Sequence, residues 1–296
     1  MTSKTYDIIG SEFKLGYRRQ DAWGWKIAIA FFFGDVGAGS FFISAFYDFM
    51  PGMILGWILT TFFKPAALLM HLGQPWRFWR AVMNLKSAWI SRGVLGAILF
   101  GGFGFAHMVN LHYHILPQFL GAIIFLLAMA GCFIVMIYLG YVLSHSPALT
   151  LWNTGLMPVI SLTYGLMGGV TMTILMGYNG FLSASPETLK FLKGAEILLI
   201  AATFVMLLSL LHGAAYHSDS GKVSVMMLLK GEFSQYFLGY VMVVGLVATG
   251  LLAYFGPVQV AMLLVIAIAE LIGDLGLKIL LFKAAVYAPP LSHSRI

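Results

Sequence analysis

The chain has 296 residues and a formal net charge of +6; Ala, Val, Ile, Leu, Met, Phe, Trp, Tyr and Cys make up 60% of it, and Asp, Glu, Lys and Arg only 9%. A soluble domain carries roughly a quarter charged residues to cover its surface and a disordered chain is poor in apolar ones, so a mean hydropathy of +0.90 excludes both classes. What remains is a bundle of membrane helices, in which the 33 glycines allow close packing.

Residues Met1 to Gln20 mix charged and polar side chains. A cleaved signal peptide would show a short apolar core there, so none is expected. Eight apolar stretches follow, at 23–47, 52–72, 90–112, 116–143, 155–182, 190–216, 235–256 and 258–287. Each is long enough for a bilayer crossing, which takes about 20 residues. Pro51, Pro117, Pro158 and Pro257 fall near helix starts, where proline is tolerated. The expected fold is an all-α integral membrane protein of about eight transmembrane helices. It divides into an N-terminal segment 1–22, a transmembrane domain 23–287 and a tail 288–296. The longest connections, Gln74–Trp89 and His217–Ser234, leave no room for a separate catalytic domain outside the membrane.

Two stretches hint at an internal repeat. Gly34–Gly39 in the first helix reads GDVGAG, and Gly165–Val170 in the fifth reads GLMGGV. His71 closes the second helix and His212 the sixth. Four crossings return a chain to its starting side, so these pairs suggest two parallel four-helix halves.

Lys4, Lys14, Arg18, Arg19 and Lys26 precede or open the first helix. Arg77, Arg80, Lys86 and Arg92 lie around the second connection, Lys222 and Lys230 in the sixth, and Lys283 and Arg295 near the end. Only Lys190 and Lys193 fall on the other side. Basic loops stay cytoplasmic, so both termini are expected in the cytoplasm, with the chain in the inner (cytoplasmic) membrane. The charge is topological, and no nucleic-acid partner is implied. The one cysteine, Cys132, excludes an internal disulfide, a cysteine-ligated iron–sulfur cluster and a C-x-x-C-H haem attachment.

The most informative segment is His71–Gly93, HLGQPWRFWRAVMNLKSAWISRG. Gly73 and Pro75 break the second helix. A spacing of three then puts Trp76 and Trp79 on one face of a short interfacial helix, and Arg77 and Arg80 on another. Tryptophan belongs at the headgroup level, while arginine reaches phosphate or a partner's carboxylate. A plain interfacial anchor is the simpler reading of this segment alone.

HLGQP followed by RFWR and W-I-S-R-G resembles the NrfD/PsrC-like membrane subunits, with DmsC-type anchors as more distant relatives. The glycine-rich FFFGDVGAGSFF, the stretch SPALTLWNTGLMP from Ser146 to Pro158 and the helix count agree. The resemblance implies a quinone-interacting subunit with no haem or iron–sulfur cluster of its own. Such a subunit exchanges electrons between menaquinone or ubiquinone and a docked ferredoxin-like iron–sulfur subunit. That subunit serves a catalytic subunit, often a molybdopterin oxidoreductase. The histidine implicated at the quinol site of DmsC-type relatives maps onto His71. Where some relatives carry a glutamate early in the third helix, this chain has Gly93, so another group or water must carry the proton.

Chemistry supports the same residue. A quinone carbonyl needs a donor, its reduction needs protons, and an imidazole with a pKa of about 6.5 can supply both near neutral pH. Arg77 is expected to position the headgroup or bind the partner, Arg80 and Arg92 to dock the partner, and Asp35 and Tyr164 to line the quinone pocket. A helix-capping histidine is the plainer alternative for His71. Haem between His71 and His212 would need imidazoles at one depth on facing helices, and the resemblance implies none.

Charges inside the apolar stretches form the second constellation. Asp35 and Lys64 lie at similar depth on neighbouring helices and are expected to pair. Glu270, Asp274 and Lys278 share one face of the last helix. Glu196 and His107 are further candidates. A charge at the bilayer centre costs about 2.5–3.5 kcal/mol even on the lenient scale, so such groups face inward and pair. Two readings stand: Asp35, Lys64, Glu270 and Asp274 as a proton path, or salt bridges that fix helix register. For the whole chain, an ion-coupled secondary transporter built on the same residues is the alternative. A passive anchor with no redox site is a third.

Overall fold

A computed structural model describes residues 17–177 and 186–288. Among these, eight helices are long and apolar enough to cross a membrane, and no strand longer than an isolated bridge occurs. We label them α1 (Trp25–Ala45), α2 (Met50–Leu69), α3 (Trp89–Tyr113), α4 (Gln118–Ser144), α5 (Leu156–Met176), α6 (Pro186–His217), α7 (Gln235–Phe255) and α8 (Val260–Lys283). A 3₁₀ helix, Pro75–Val82, joins α2 to α3, and a short helix, Asp219–Leu229, follows α6. The all-helical class and the eight spans agree with the sequence-based expectation. Lys4, Lys14, Tyr178 and Arg295, and most of the tail 288–296, lie outside the described residues.

α1 and α5 are the central helices, with 72% and 67% of their most apolar stretch buried inside the protein. Each packs against its own half in the same way: α1 touches α2 and α4, and α5 touches α6 and α8. The two then pack on each other. The glycine stretches that resemble one another are the surfaces that meet. A Cβ built on Gly39 would lie 1.7 Å from the Gly165 carbonyl oxygen, and one on Gly169 would lie 2.3 Å from the Gly39 carbonyl. Without a hydrophobic drive between helices in lipid, such backbone contact is the available glue.

The helix ends differ from expectation where local chemistry intervenes. α2 stops at Leu69 rather than at 72, and its middle is a π turn over Leu59–Phe63. Pro65 has no N–H and its ring crowds the carbonyl four residues back, so the backbone widens just before it. α8 stops at Lys283 rather than running to 287. Residues 285–288 are extended instead and pair with the chain before α1: Gln20 N–H donates to Ala285 O at 3.0 Å, and Tyr287 N–H to Arg18 O at 2.8 Å. Gln20 Nε2 also donates to Phe282 O at 2.5 Å, and Trp152 Nε1 to Leu281 O at 2.8 Å. Rings of Trp23, Phe31, Trp152 and Phe282 fill the space beneath.

These ties place the segment before α1, the α4–α5 connection and the segment after α8 at one end of the bundle. The 3₁₀ helix lies at that end too, because α2 runs back toward it. Lys26, Arg77, Arg80, Lys86, Arg92, Lys222, Lys230 and Lys283 lie there, and we call it the basic end; Lys190 and Lys193 lie at the other.

The central glycine contact makes a prediction. Gly39→Val should cost 3 kcal/mol or more, above the roughly 1–3 kcal/mol of ordinary overpacking, because backbone rather than a side chain must move. Gly102→Ala on α3, where a Cβ meets nothing within 4 Å, should leave stability unchanged or raised. Unfolding curves of the two variants in detergent check both.

Candidate functional site

At the basic end the chain from His71 to Arg80 is exposed throughout. Trp76 is 89% exposed, and Phe78, Trp79 and Met83 are also open. In a 3₁₀ turn residues three apart eclipse, so Trp76 and Trp79 share a face, as expected from their spacing. His71 sits two residues beyond the end of α2, next to Met70, whose carbonyl accepts a bond from Lys26 Nζ at 3.2 Å. Arg80 lies over the Trp79 ring, its guanidinium carbon 5.6 Å from the ring centre. Arg92 is engaged within the chain. Its Nε donates to Leu85 O at 3.0 Å and its Nη2 to Lys86 O at 2.7 Å, and its guanidinium covers the Trp89 ring. It holds the connection in place, while Arg77 and Arg80 face outward.

The second site is the bundle interior. Asp35, 1% exposed in mid α1, does not pair with Lys64. Its Oδ2 lies 3.2 Å from Lys278 Nζ, and Lys278 also bonds Asp274 one turn away on α8. α8 packs against α1 and carries the ammonium to it. Ser161 on α5 donates to Met136 O at 2.6 Å and lies 3.4 Å from Asp35 Oδ2. Tyr164 lies one turn further on α5, with Lys278 Nζ 5.3 Å from its ring centre. Asp35, Ser161, Tyr164 and Lys278 all line a cavity of about 20 Å³.

Lys64 lies on another side of α1. Its stem runs over Gly34, where a Cβ would come within 2.8 Å of Lys64 Cδ. Its ammonium sits 4.4 Å above the centre of the Tyr138 ring and has no hydrogen-bond partner among the described residues. A cation over an aromatic face recovers part of what desolvation costs. Asp35 stays within its electrostatic reach.

A further polar group lies toward the opposite end. Thr171 Oγ1 is 2.7 Å from Glu270 Oε2 and 3.0 Å from Glu196 Oε1. All three side chains are buried.

The structure therefore joins Asp35, Tyr164 and Asp274 through Lys278, sets Glu270 one turn away with Thr171 and Glu196, and leaves Lys64 apart. His71, Arg77 and Arg80 form a separate exposed group. His107 is buried between Phe41 and Phe125, and His212 is exposed beside Tyr216. Sequence reasoning put Lys278 on one face with Glu270 and Asp274 but gave it no part in the proton path, and it named neither Ser161 nor Thr171. Among the described residues no three His, Cys, Asp or Glu side chains come together as a metal site.

The family model described as "Polysulphide reductase, NrfD" matches residues 15–289, nearly the whole chain, and the chain belongs to the NrfD family. Members are membrane subunits of quinone-interacting oxidoreductase complexes, and this chain is a multi-pass membrane protein. No curated protein matches it.

The Lys278 bridge is testable by a mutant cycle. Lys278→Met strands two buried carboxyls and should cost about 3–5 kcal/mol, the usual loss when one partner of a buried pair is removed. Adding Asp35→Asn and Asp274→Asn should restore most of it. Thermal unfolding in detergent of the single and triple variants would show the recovery.

Proposed function

We propose that this NrfD-family chain is the quinone-reactive membrane subunit of a respiratory oxidoreductase. It exchanges electrons between menaquinone or ubiquinone and a ferredoxin-like iron–sulfur subunit docked on its basic end. That subunit in turn serves a catalytic subunit, often a molybdopterin enzyme. The observation that carries the reading is the open segment His71–Met83, where aromatic and guanidinium groups lie uncovered on an ordered 3₁₀ helix. Exposed apolar patches rimmed by polar groups mark interaction sites, and tryptophan and arginine dominate such interfaces.

His71 stands at the depth where a polar ring on an isoprenoid tail comes to rest. A quinone is reduced by two electrons and two protons. His71 donates a hydrogen bond to a ring carbonyl and passes a proton along it, the task that suits imidazole near neutral pH. Lys26, which bonds the neighbouring carbonyl of Met70, adds positive charge beside it. Arg77 and Arg80 serve the partner, and Arg92 keeps their connection in shape.

Asp35 sits ten residues into α1, roughly 15 Å from its first residue at 1.5 Å per residue. Asp35 and Tyr164 therefore act deeper than the headgroup, on the proton side of the reaction. Asp274 and Glu270 extend that row along α8, and Lys64 sets the potential around Asp35 from the side of α2. The inner membrane, with both termini in the cytoplasm, is the location that the basic end suits.

His71→Ala in the assembled complex should lower quinol-dependent turnover at least about a hundredfold, the lower end of the usual range for losing a general acid or base, about 10²–10⁴. Turnover with an artificial donor at the partner subunit should be kept. Unchanged quinol turnover removes His71 from the mechanism. Purification in mild detergent discriminates the rival class: a redox subunit brings cluster-bearing partners with it, and an ion-coupled transporter comes out alone.

A further inference from the structure

The contacts around Thr171 carry a stoichiometry. A threonine hydroxyl has one hydrogen and two lone pairs. It can donate fully to only one of the two glutamates at 2.7 and 3.0 Å. The other contact is a hydrogen bond when that carboxyl is protonated and donates to Thr171 Oγ1. A hydroxyl shared between two carboxylates would leave both charges buried without a cation, the costlier arrangement. Among the described residues neither glutamate has an ion-pair partner. Lys193, whose charge reaches Glu196, gives its ammonium to Gly256 O at 3.3 Å. Across the interior, four buried carboxyls (Asp35, Asp274, Glu196, Glu270) face two buried ammoniums (Lys64, Lys278), so a bound proton narrows an imbalance.

An independent feature lies beside this group. The Tyr164 hydroxyl is buried without a hydrogen-bond partner among the described residues, on a side chain only 2% exposed. It lies within electrostatic reach of both Glu270 and Asp274. α5 and α8 run antiparallel, so Thr171 opposite Glu270 puts Tyr164, two turns back, beside Lys278. Glu270 Oε1, Asp274 Oδ2 and Asp35 Oδ1 are buried acceptors that also lack partners. The cavity at Asp35, of about 20 Å³, exceeds the roughly 10–15 Å³ that one water needs.

We propose that Glu196, Thr171 and Glu270 form a station that holds one proton between two carboxyls, and that Tyr164 links it through Asp274 to the Lys278 bridge and Asp35. The station deepens the quinone reading and rests on it only for the source and fate of the protons. Its transfer step balances. The Glu196 O–H bond breaks as a new Thr171 Oγ1–H forms; the former Thr171 O–H breaks as Glu270 Oε2–H forms. One proton moves from Glu196 to Glu270, and the charge of the pair is unchanged.

Infrared spectra of the intact complex, resting and without quinol, test the station directly. The wild type should show a protonated-carboxyl carbonyl band that falls by one carboxyl per chain in Glu196→Gln/Glu270→Gln. The band should be equal in sodium and in choline buffer. No such difference, or loss of the band in sodium, overturns the proposal, the second by showing a metal cation in the proton's place. In proteoliposomes Thr171→Val should lower the protons moved per electron, and Thr171→Ser, which keeps the hydroxyl, should restore them. A Val variant with the wild-type ratio overturns the relay. If the band is present but His71→Ala leaves quinol turnover intact, the quinone reading fails and the station stands.

Discussion

Hydrocarbon offers an ionised side chain nothing to bond to, so every charge carried into the bilayer must be answered by the protein itself. In this chain the answer lies along α1, α5 and α8. Lys278 is held by carboxyls from two helices, Asp35 on α1 and Asp274 on α8. Since α1 belongs to the first half of the chain and α8 to the second, this bridge joins the halves electrostatically where Gly39 and Gly165 join them sterically. The remaining carboxyls gather around a single threonine hydroxyl. The same residues therefore hold the halves together and offer places for protons.

The packing explains how the polar row survives in so apolar a chain. Close approach of α1 and α5 brings Ser161 and Tyr164 to the level of Asp35, and α8 closes the third side. In the other six spans only about a third of the most apolar stretch is buried inside the protein. The functional polarity is confined to the centre and to the basic end, with an apolar exterior between. At the rim of that exterior, His71 and the aromatic 3₁₀ helix are open.

Much of the architecture was legible in the sequence because a membrane span must satisfy its own backbone, and apolar runs of the right length have few alternatives. The ends were less legible. Their positions depend on Pro65 and on the pairing of residues 285–288 with the segment before α1, which no local pattern signals. The GDVGAG and GLMGGV stretches were visible as a repeat, but only the fold shows that they touch. Depth along a helix can be counted, and Lys64 does lie level with Gly34, the neighbour of Asp35; the direction each side chain faces cannot, so Lys278 rather than Lys64 takes the bond. Thr171 was invisible for a similar reason. Threonines in membrane helices commonly bond back to their own turn, as Thr163 and Thr173 do here, and nothing in the sequence sets Thr171 apart. At the rim, the shared face of Trp76 and Trp79 was legible from their spacing, while the internal engagement of Arg92 was not.

The central claim is that a quinone headgroup meets this chain at the rim beside His71. Its most direct measurement is photo-crosslinking of the intact complex with a quinone that carries a photoreactive group on its ring, followed by peptide mapping. The account predicts adducts on the His71–Arg80 segment or on Lys26, displaced by excess unlabelled quinone. Displaceable adducts confined to the far end of the bundle, or to the partner subunits alone, would contradict it.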